Sequence, residues 1–445
     1  MGPQEASGYR FSDGYYADAH QRLVLRDGVP LSKYLTDREF EVLWFFLLRP
    51  KETIPRKDVD LLRIVGKVGR RSVDVCIGQI QKKLGFRRGK WFSLVPGIGY
   101  RFTAEVWPVY EAAQQIICGP YRTSILHFHQ RTVSSIRTAL AESLRLLDLN
   151  LDNRAKALAA IANNYMNLSH SAFSAELPES VVPKARQAAL QALIMDPSSA
   201  DAYRTLGLVS LIYDYEWKVA EPHFKKALEI DPHHPSSLLS YAHFLVSSGR
   251  PGEAIAAAEL AAAVAPGNQI IHASLAWIYL LANKIDMAII HAGHVSSLFP
   301  EFSLCYTFLG WAQEARQQYV AAERSFRKSL ELDLTPIAIA SLGHLCAKMG
   351  DVSAAETALR DLFDLYRAGR IAYVSSYCEA LVYAGLRSHK SAICALERAV
   401  DERCGLLIHL RIDPRWTQLR RIKGFDELAN RVGIPTAGQI RANNT

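Results

Sequence analysis

Ten basic side chains crowd one stretch of this chain, Arg63, Lys67, Arg70, Arg71, Lys82, Lys83, Arg87, Arg88, Lys90 and Arg101, against a single acid, Asp74. Guanidinium and ammonium groups at that density neutralise phosphates, so the chemistry they point to is polyanion binding rather than bond making. Other reactive sets are thin. His233 and His234 are adjacent and diverge, and His291 and His294 share a helix face without a carboxylate or cysteine at ligand spacing. Paired helices would bring Cys378 and Cys394 face to face, and Cys76 lies in the basic stretch, so redox control stands beside the plainer reading of thiols as small apolar groups. Gly97-Ile98-Gly99 lacks the third glycine, the lysine and the following helix of a phosphate-binding loop. The chain reads as a non-enzyme with no cofactor and no metal.

Location gives the charge its meaning. The chain has 445 residues, 52 Lys/Arg against 44 Asp/Glu, and a net charge of +8. Residues 1–107 hold 19 basic and 12 acidic residues, a net of +7, which leaves +1 for everything after them. An apolar content of 49% with 22% charged residues excludes wholesale disorder. The N-terminus has no basic and apolar regions of a secretory signal, and Ala6 stands where myristoylation wants Ser or Thr. The apolar stretch Ile270–Ala282 is interrupted by His272 and Ser274 and is too short to span a membrane. Seven cysteines without a CxxC pair fit reduced thiols in a cytoplasmic protein.

The basic residues need a scaffold. Alternation from Tyr9 to Leu25, with turns at Asp13-Gly14 and Asp27-Gly28, predicts short antiparallel strands. Thr36 with Glu39 three residues on is a capping box ahead of Phe40, Leu43, Trp44 and Leu47, and Arg49-Pro50 closes that helix. A short second helix is expected from Pro55 through Asp58 to Leu62. After a loop containing Gly66 and Gly69, a third runs from about Arg70 to Leu84 on an apolar stripe of Val73, Ile77, Ile80 and Leu84. Its other face carries Arg71, Ser72, Val75, Gln79, Lys82 and Lys83. Trp91 to Phe102 reads as a hairpin about Pro96-Gly97. Strands, three helices and a hairpin make an α+β winged helix-turn-helix.

Three blocks then carry a resemblance. Leu35-Thr36-Asp37-Arg38-Glu39-Phe40, Arg71-Ser72-Val73-Asp74-Val75 with Ile77 and Lys83-Leu84, and Pro96-Gly97-Ile98-Gly99-Tyr100-Arg101-Phe102 resemble the OmpR/PhoB-type DNA-binding domain over about residues 9–104. The resemblance implies that the third helix enters the major groove and the hairpin wing follows the minor groove. It implies base reading by Arg71, Cys76, Gln79, Lys82 and Lys83, phosphate clamping by Arg70, Arg87, Arg88 and Lys90, and further contacts from Ser72 and Arg101. Val73, Ile77, Leu84, Tyr100 and Phe102 are expected in the core, and Asp74 is expected to pair with an arginine. Gly78-Gln79 and Pro96 stand where the family often has arginines, a departure that bears on the target sequence. Only eight residues precede Tyr9, so no receiver domain is expected.

Internal repetition organises the rest. Pro197, Pro232, Pro266 and Pro300 follow one another at steps of 35, 34 and 34. Between them Leu206-Gly207, Ala220, Phe224 and Ala227 are echoed by Tyr241-Ala242, Ala254, Ala258 and Ala261, by Leu275-Ala276, Ala288 and Ala292, and by Leu309-Gly310, Ala322, Phe326 and Ser329. This pattern resembles tetratricopeptide repeats, whose small residues let paired helices approach and whose proline ends each unit. Weaker copies extend it both ways, with a divergent helical pair expected over 109–150 and a capping helix with a polar outer side over Asp413 to Leu428. The predicted architecture is mainly α: a winged helix-turn-helix domain over 1–107, then an all-α tetratricopeptide superhelix of about eight helical pairs over 108–435.

The two modules together resemble HilA-like and CadC-like bacterial regulators, and the lack of a membrane span favours the HilA-like arrangement. The resemblance implies a sequence-specific regulator of promoter double-stranded DNA, an activator that recruits RNA polymerase. Its repeats would serve homodimerisation or take a protein or small-molecule effector. The alternative is a repeat scaffold whose winged helix has lost DNA binding.

Overall fold

The computed structural model describes residues 8–11, 15–18, 23–26, 29–30, 35–58, 61, 64, 71–84, 91–104, 106–109, 133–148, 154–170 and 172–436. They divide into two units, Met1–Cys118 and Gly119–Thr445.

In the first unit β1 (Gly8–Phe11), β2 (Tyr15–Asp18), β3 (Leu23–Arg26) and β4 (Val29–Pro30) form an antiparallel meander. Helix α1 is Asp37–Leu47, and its capping box is complete: Thr36 Oγ1 accepts from the Glu39 amide, and Glu39 Oε2 accepts from the Thr36 amide at 2.6 Å. A second sheet joins β5 (Thr53–Pro55), β6 (Phe92–Val95) and β7 (Gly99–Phe102) in the order β5-β7-β6. The sequence reading did not foresee β8 (Val106–Val109), which pairs with the free edge of β1. Helix α2, Arg71–Lys83, crosses this scaffold. Phe11, Tyr15, Phe46, Trp91, Phe92 and Phe102 make the centre of a small aromatic core.

One expectation is corrected here. Pro55 does not begin a helix; it ends β5, which among the described residues pairs with β7 alone, so its missing N–H costs no ladder bond. Leu61 and Ile64, the two described residues between Asp58 and the glycine-containing loop, are both helical, and the Asp58 carboxylate accepts from the Leu61 amide at 3.0 Å. The loop with Gly66 and Gly69 lies outside the described residues.

The second unit is a series of helix pairs. After α3 (Val133–Asp148) come α4 (Arg154–Leu168) with α5 (Pro178–Met195), α6 (Ala200–Leu208) with α7 (Trp217–Ile230), α8 (Pro235–Ser247) with α9 (Pro251–Val264) and α10 (Gln269–Leu281) with α11 (Ile285–Leu298). The series continues as α12 (Ser303–Ala315) with α13 (Tyr319–Leu332), α14 (Pro336–Lys348) with α15 (Val352–Arg367) and α16 (Ser376–Gly385) with α17 (His389–Asp401). Of the pair expected over 109–150, only α3 lies within the described residues, and it packs on α4; residues 110–132 lie outside them.

Small residues set the spacing within pairs. Ala220, Ala254, Ala288 and Ala322, one per repeat, are completely buried. The neighbouring position shows volume compensation. In two repeats a first-helix glycine faces a phenylalanine: a Cβ on Gly207 would lie 2.7 Å from the Phe224 ring, and one on Gly310 would clash with Phe326, whereas Gly343 faces Ala358. Where the first helix has Ala242 or Ala276, the second has Ala258 or Ala292. The repeat of 35 residues holds its extra residue in a π-turn, Val209–Tyr213, which continues α6 and closes with the Asp214 amide on the Val209 carbonyl at 3.0 Å.

The C-terminal segment departs most from expectation. Its helix keeps the expected polar outer side, with Asp426, Glu427, Asn430 and Arg431 exposed, but the segment also reaches back over earlier repeats. Three 3-10 turns, Gly405–His409, Pro414–Trp416 and Leu419–Arg421, lead to α18, Phe425–Arg431, and Leu407, Leu410, Trp416, Phe425 and Leu428 are all at most 2% exposed. The segment lies across the first helices of successive repeats. The Tyr215 hydroxyl donates to the Cys404 carbonyl at 3.1 Å, and Trp217 Nε1 donates to the Val432 carbonyl at 2.8 Å. The His409 ring meets Trp277 edge-on at 4.8 Å, and the Arg415 guanidinium lies 3.9 Å over Trp311. His243, Trp277 and Trp311 occupy one repeat position, 34 residues apart, and their rings follow one another at 5.0 and 5.5 Å. This cover explains the apolar stretch Ile270–Ala282: α10 buries residues all round, whereas its partner α11 buries only Ala288, Ala292 and Val295.

Candidate nucleic-acid interface

Helix α2 buries Val73, Ile77 and Ile80, with Leu84 just beyond its end, so its opposite face is turned to solvent. Gln79 and Lys82 are exposed on that face, and so is Val75 at 61%. A glutamine amide reads adenine by a bidentate pair, a lysine reads guanine or a phosphate, and an exposed valine fits a thymine methyl. Arg71 and Ser72 belong to α2, but their side chains lie outside the described residues, as do Arg70, Arg87, Arg88 and Lys90.

Two of the expected contacts are placed otherwise. Cys76 is only 7% exposed and joins the core. The reason is spacing: it stands three residues after Val73 and four before Ile80, inside the apolar stripe. Burial pushes its thiol up to about 11, so it is a packed small side chain rather than a reactive one. Lys83 turns toward α1, where its ammonium lies 2.6 Å from Glu39 Oε2. Burial pulls the Glu39 carboxyl upward, but Lys83 and the Thr36 amide and hydroxyl outweigh it and hold the group below its usual range.

The wing is fastened to α2 through Asp74. Its Oδ1 accepts from the Tyr100 hydroxyl at 2.6 Å and from Arg56 Nε at 3.1 Å. Asp74 thus pairs with an arginine, and Tyr100 is half-buried with its hydroxyl in that pair rather than wholly in the core. Arg56 was missed because it lies in a turn remote in sequence from α2. On the wing, Arg101 is exposed and donates to Thr53 Oγ1 at 2.6 and 2.9 Å. Gly99 admits no side chain, since a Cβ there would run into the Ile54 carbonyl. Leu94 and Ile98 are exposed on the same hairpin.

The remaining candidates lie apart. His233 is exposed, while His234 Nδ1 lies 2.7 Å from Ser237 Oγ at the start of α8. His291 stacks on His272 of α10, with ring centroids 5.7 Å apart, and His294 is near enough to act electrostatically on both imidazoles. Cys378 is fully buried and Cys394 is exposed, so the expected face-to-face pair is not formed, and burial pushes the Cys378 thiol far up.

Residues 32–102 match the family model "Transcriptional regulatory protein, C terminal", and residues 211–278 match a tetratricopeptide-repeat model. No curated protein matches the chain. Solved structures that resemble it include a chain of the APC/C hetero-tetramer Cut9-Hcn1, 19% identical over 72% of this chain and 56% of that one with a TM-score of 0.44. Yeast Tom70 is 14% identical over 90% and 84% with a TM-score of 0.40. PilF of Pseudomonas aeruginosa is 20% identical over 49% and 92% with a TM-score of 0.36. Among the described residues no helix is long and apolar enough to cross a membrane. The chain carries an OmpR/PhoB-type transcriptional-regulator domain followed by tetratricopeptide repeats.

Proposed function

We propose that this chain is a sequence-specific, DNA-binding transcriptional regulator of the HilA-like arrangement, acting on promoter DNA in the cytoplasm. The observation that carries the reading is the outward face of α2, where Gln79, Lys82 and Val75 stand free while Asp74 holds the wing in register beside them. Arg71 joins the base-reading face, Ser72 and Arg101 add further contacts, and Arg70, Arg87, Arg88 and Lys90, which flank the helix in sequence, supply the phosphate clamps. The winged helix lies over about 1–107, and the repeats, over about 108–435, take the effector or partner. Activation through RNA polymerase and homodimerisation on tandem half-sites complete the proposal by family analogy.

The test is binding to promoter fragments measured against salt. Log affinity falls linearly with log salt at a slope of roughly −0.9 per phosphate contact. Lys82→Glu weakens binding to all sequences, and Gln79→Ala relaxes base preference at one position. A slope near zero overturns the reading in favour of a repeat scaffold whose winged helix binds no DNA.

A further inference from the structure

The Arg403–His409 turn and the loop after α4 close over the first helices and leave a cavity of about 180 Å³ between them. At roughly 15 Å³ for each water, it has room for about a dozen waters, or for one organic molecule of about a dozen non-hydrogen atoms. The wall is mainly apolar, with Leu208, Leu239, Ile271, Trp277 and Phe308 among its residues. Its charge is one-sided. Arg204 and Arg403 line it together with three histidines, and no aspartate or glutamate does.

Arg204 is the informative residue. It is 4% exposed, and its Nη2 donates to Asn163 Oδ1 at 2.7 Å and to Asp201 Oδ1 at 3.3 Å. Asp201 is shared, lying 3.6 Å from His234 Nε2 as well. The buried Nε of Arg204 has no acceptor. An unmet donor on a buried guanidinium is costly, and the groups best suited to meet it are carboxylate oxygens, which guanidinium binds in a planar fork. His409, which also lines the cavity, is held neutral because burial pushes its imidazole far down, with His243 and Arg415 adding to the effect. A cationic imidazole would itself favour an anion, so with His409 neutral the attraction for a carboxylate rests on the arginines of the wall.

We propose that this cavity binds a small monocarboxylic acid with an apolar body. The carboxylate sits on Arg204, and the body lies along Leu239 and Ile271 toward Trp277. The inference deepens the effector role proposed above and rests on it only for any effect on DNA binding. The closed repeats then act as a chamber for a metabolite-sized acid.

The full-length protein is titrated calorimetrically, without DNA, against 4-phenylbutyrate, 4-phenylbutan-1-ol and 4-phenylbutylamine, which share one body and differ in head group. The acid binds at one site, at least about tenfold more tightly than the alcohol, and the amine gives no binding. Arg204→Gln removes that preference for the acid. Because Arg204 also braces Asn163 and Asp201, a second variant, Leu239→Trp, fills the cavity and abolishes acid binding while retaining the wild-type circular dichroism. Equal affinity for acid and alcohol, or no binding of any of the three at millimolar concentration, overturns the proposal. The salt titration of DNA binding is a separate measurement, so acid binding by a protein that ignores DNA defeats the regulator reading and leaves this one standing.

Discussion

Lys83 Nζ lies 2.6 Å from Oε2 of Glu39, the same oxygen that accepts from the Thr36 amide. One carboxylate thus caps α1 and anchors the C-terminal end of α2, so the helix that faces solvent is aimed by the helix behind it. Glu39→Gln keeps the cap but removes the charge partner. It should lower the stability of the winged-helix unit by about 1–2 kcal/mol in denaturant titrations. It also frees Lys83, and the slope of log affinity for DNA against log salt should steepen by up to about one. An unchanged slope would show that Lys83 does not reach DNA even when released.

The Gly310–Phe326 contact predicts a compensated pair. Gly310→Ala overpacks α12 against α13 and should cost about 1–3 kcal/mol. Phe326→Ala alone opens a cavity and should cost about 3–5 kcal/mol. Together they recreate the Ala276–Ala292 pair of the preceding repeat, so thermal or denaturant unfolding should show the double variant more stable than the sum of the two losses. Strict additivity would count against compensation.

Acid should weaken the repeat unit in two stages. Burial pushes His409 far down, and burial with His272 nearby lowers His291 to about 4, so both stay neutral in the fold while the unfolded chain takes up protons near 6.5. Their effect is absent at neutral pH, and stability is lost as pH falls below about 6.5. Glu314, buried between α12 and α14, would be raised by burial, yet His344 at 3.1 Å and Lys348 at 2.9 Å draw it down to about 2. Its contribution is complete above 4.5, its usual value, and is lost as pH falls from there toward 2. Denaturant midpoints against pH should show both limbs. His409→Gln flattens the upper one. Glu314→Gln flattens the lower one and costs about 3–5 kcal/mol at neutral pH, since it leaves Lys348 without its buried partner.

Removing the anchor of the C-terminal segment should expose the faces it covers. Trp416 is 1% exposed, and its indole Nε1 lies 3.3 Å from the Tyr377 hydroxyl. Trp416→Ala should cost about 3–5 kcal/mol. It should also raise binding of an apolar fluorescent dye, because the ring ladder of His243, Trp277 and Trp311 loses its cover. A variant that binds no more dye than wild type would show that the first helices bury that face without the segment.

The elements legible in the sequence were those with a local signal. Thr36 and Glu39 announce α1, the Val73–Leu84 stripe announces α2, and alanines at 34-residue steps announce the helix pairs. That Asp74 pairs with an arginine was legible, but which arginine was not, and neither was the β1–β8 pairing, because each joins residues that no period or motif connects. The position of Cys76 was legible and was missed, since a small thiol at an apolar step carries little weight in a pattern of valines and isoleucines. The C-terminal segment left one unread sign: α10 is apolar on every side, more than a half-exposed repeat helix needs.

The bond from Trp217 to Val432 joins residues 215 positions apart. An open solenoid touches only its neighbours, so its repeats add and melt nearly one at a time. Here the segment from Cys404 to Val432 rests on early repeats of the unit, and the faces it covers are not complete until that segment has arrived. The array should therefore unfold in a single transition rather than fray from one end. It should fold slowly for a helical protein, because its final contacts close the longest loop in the unit.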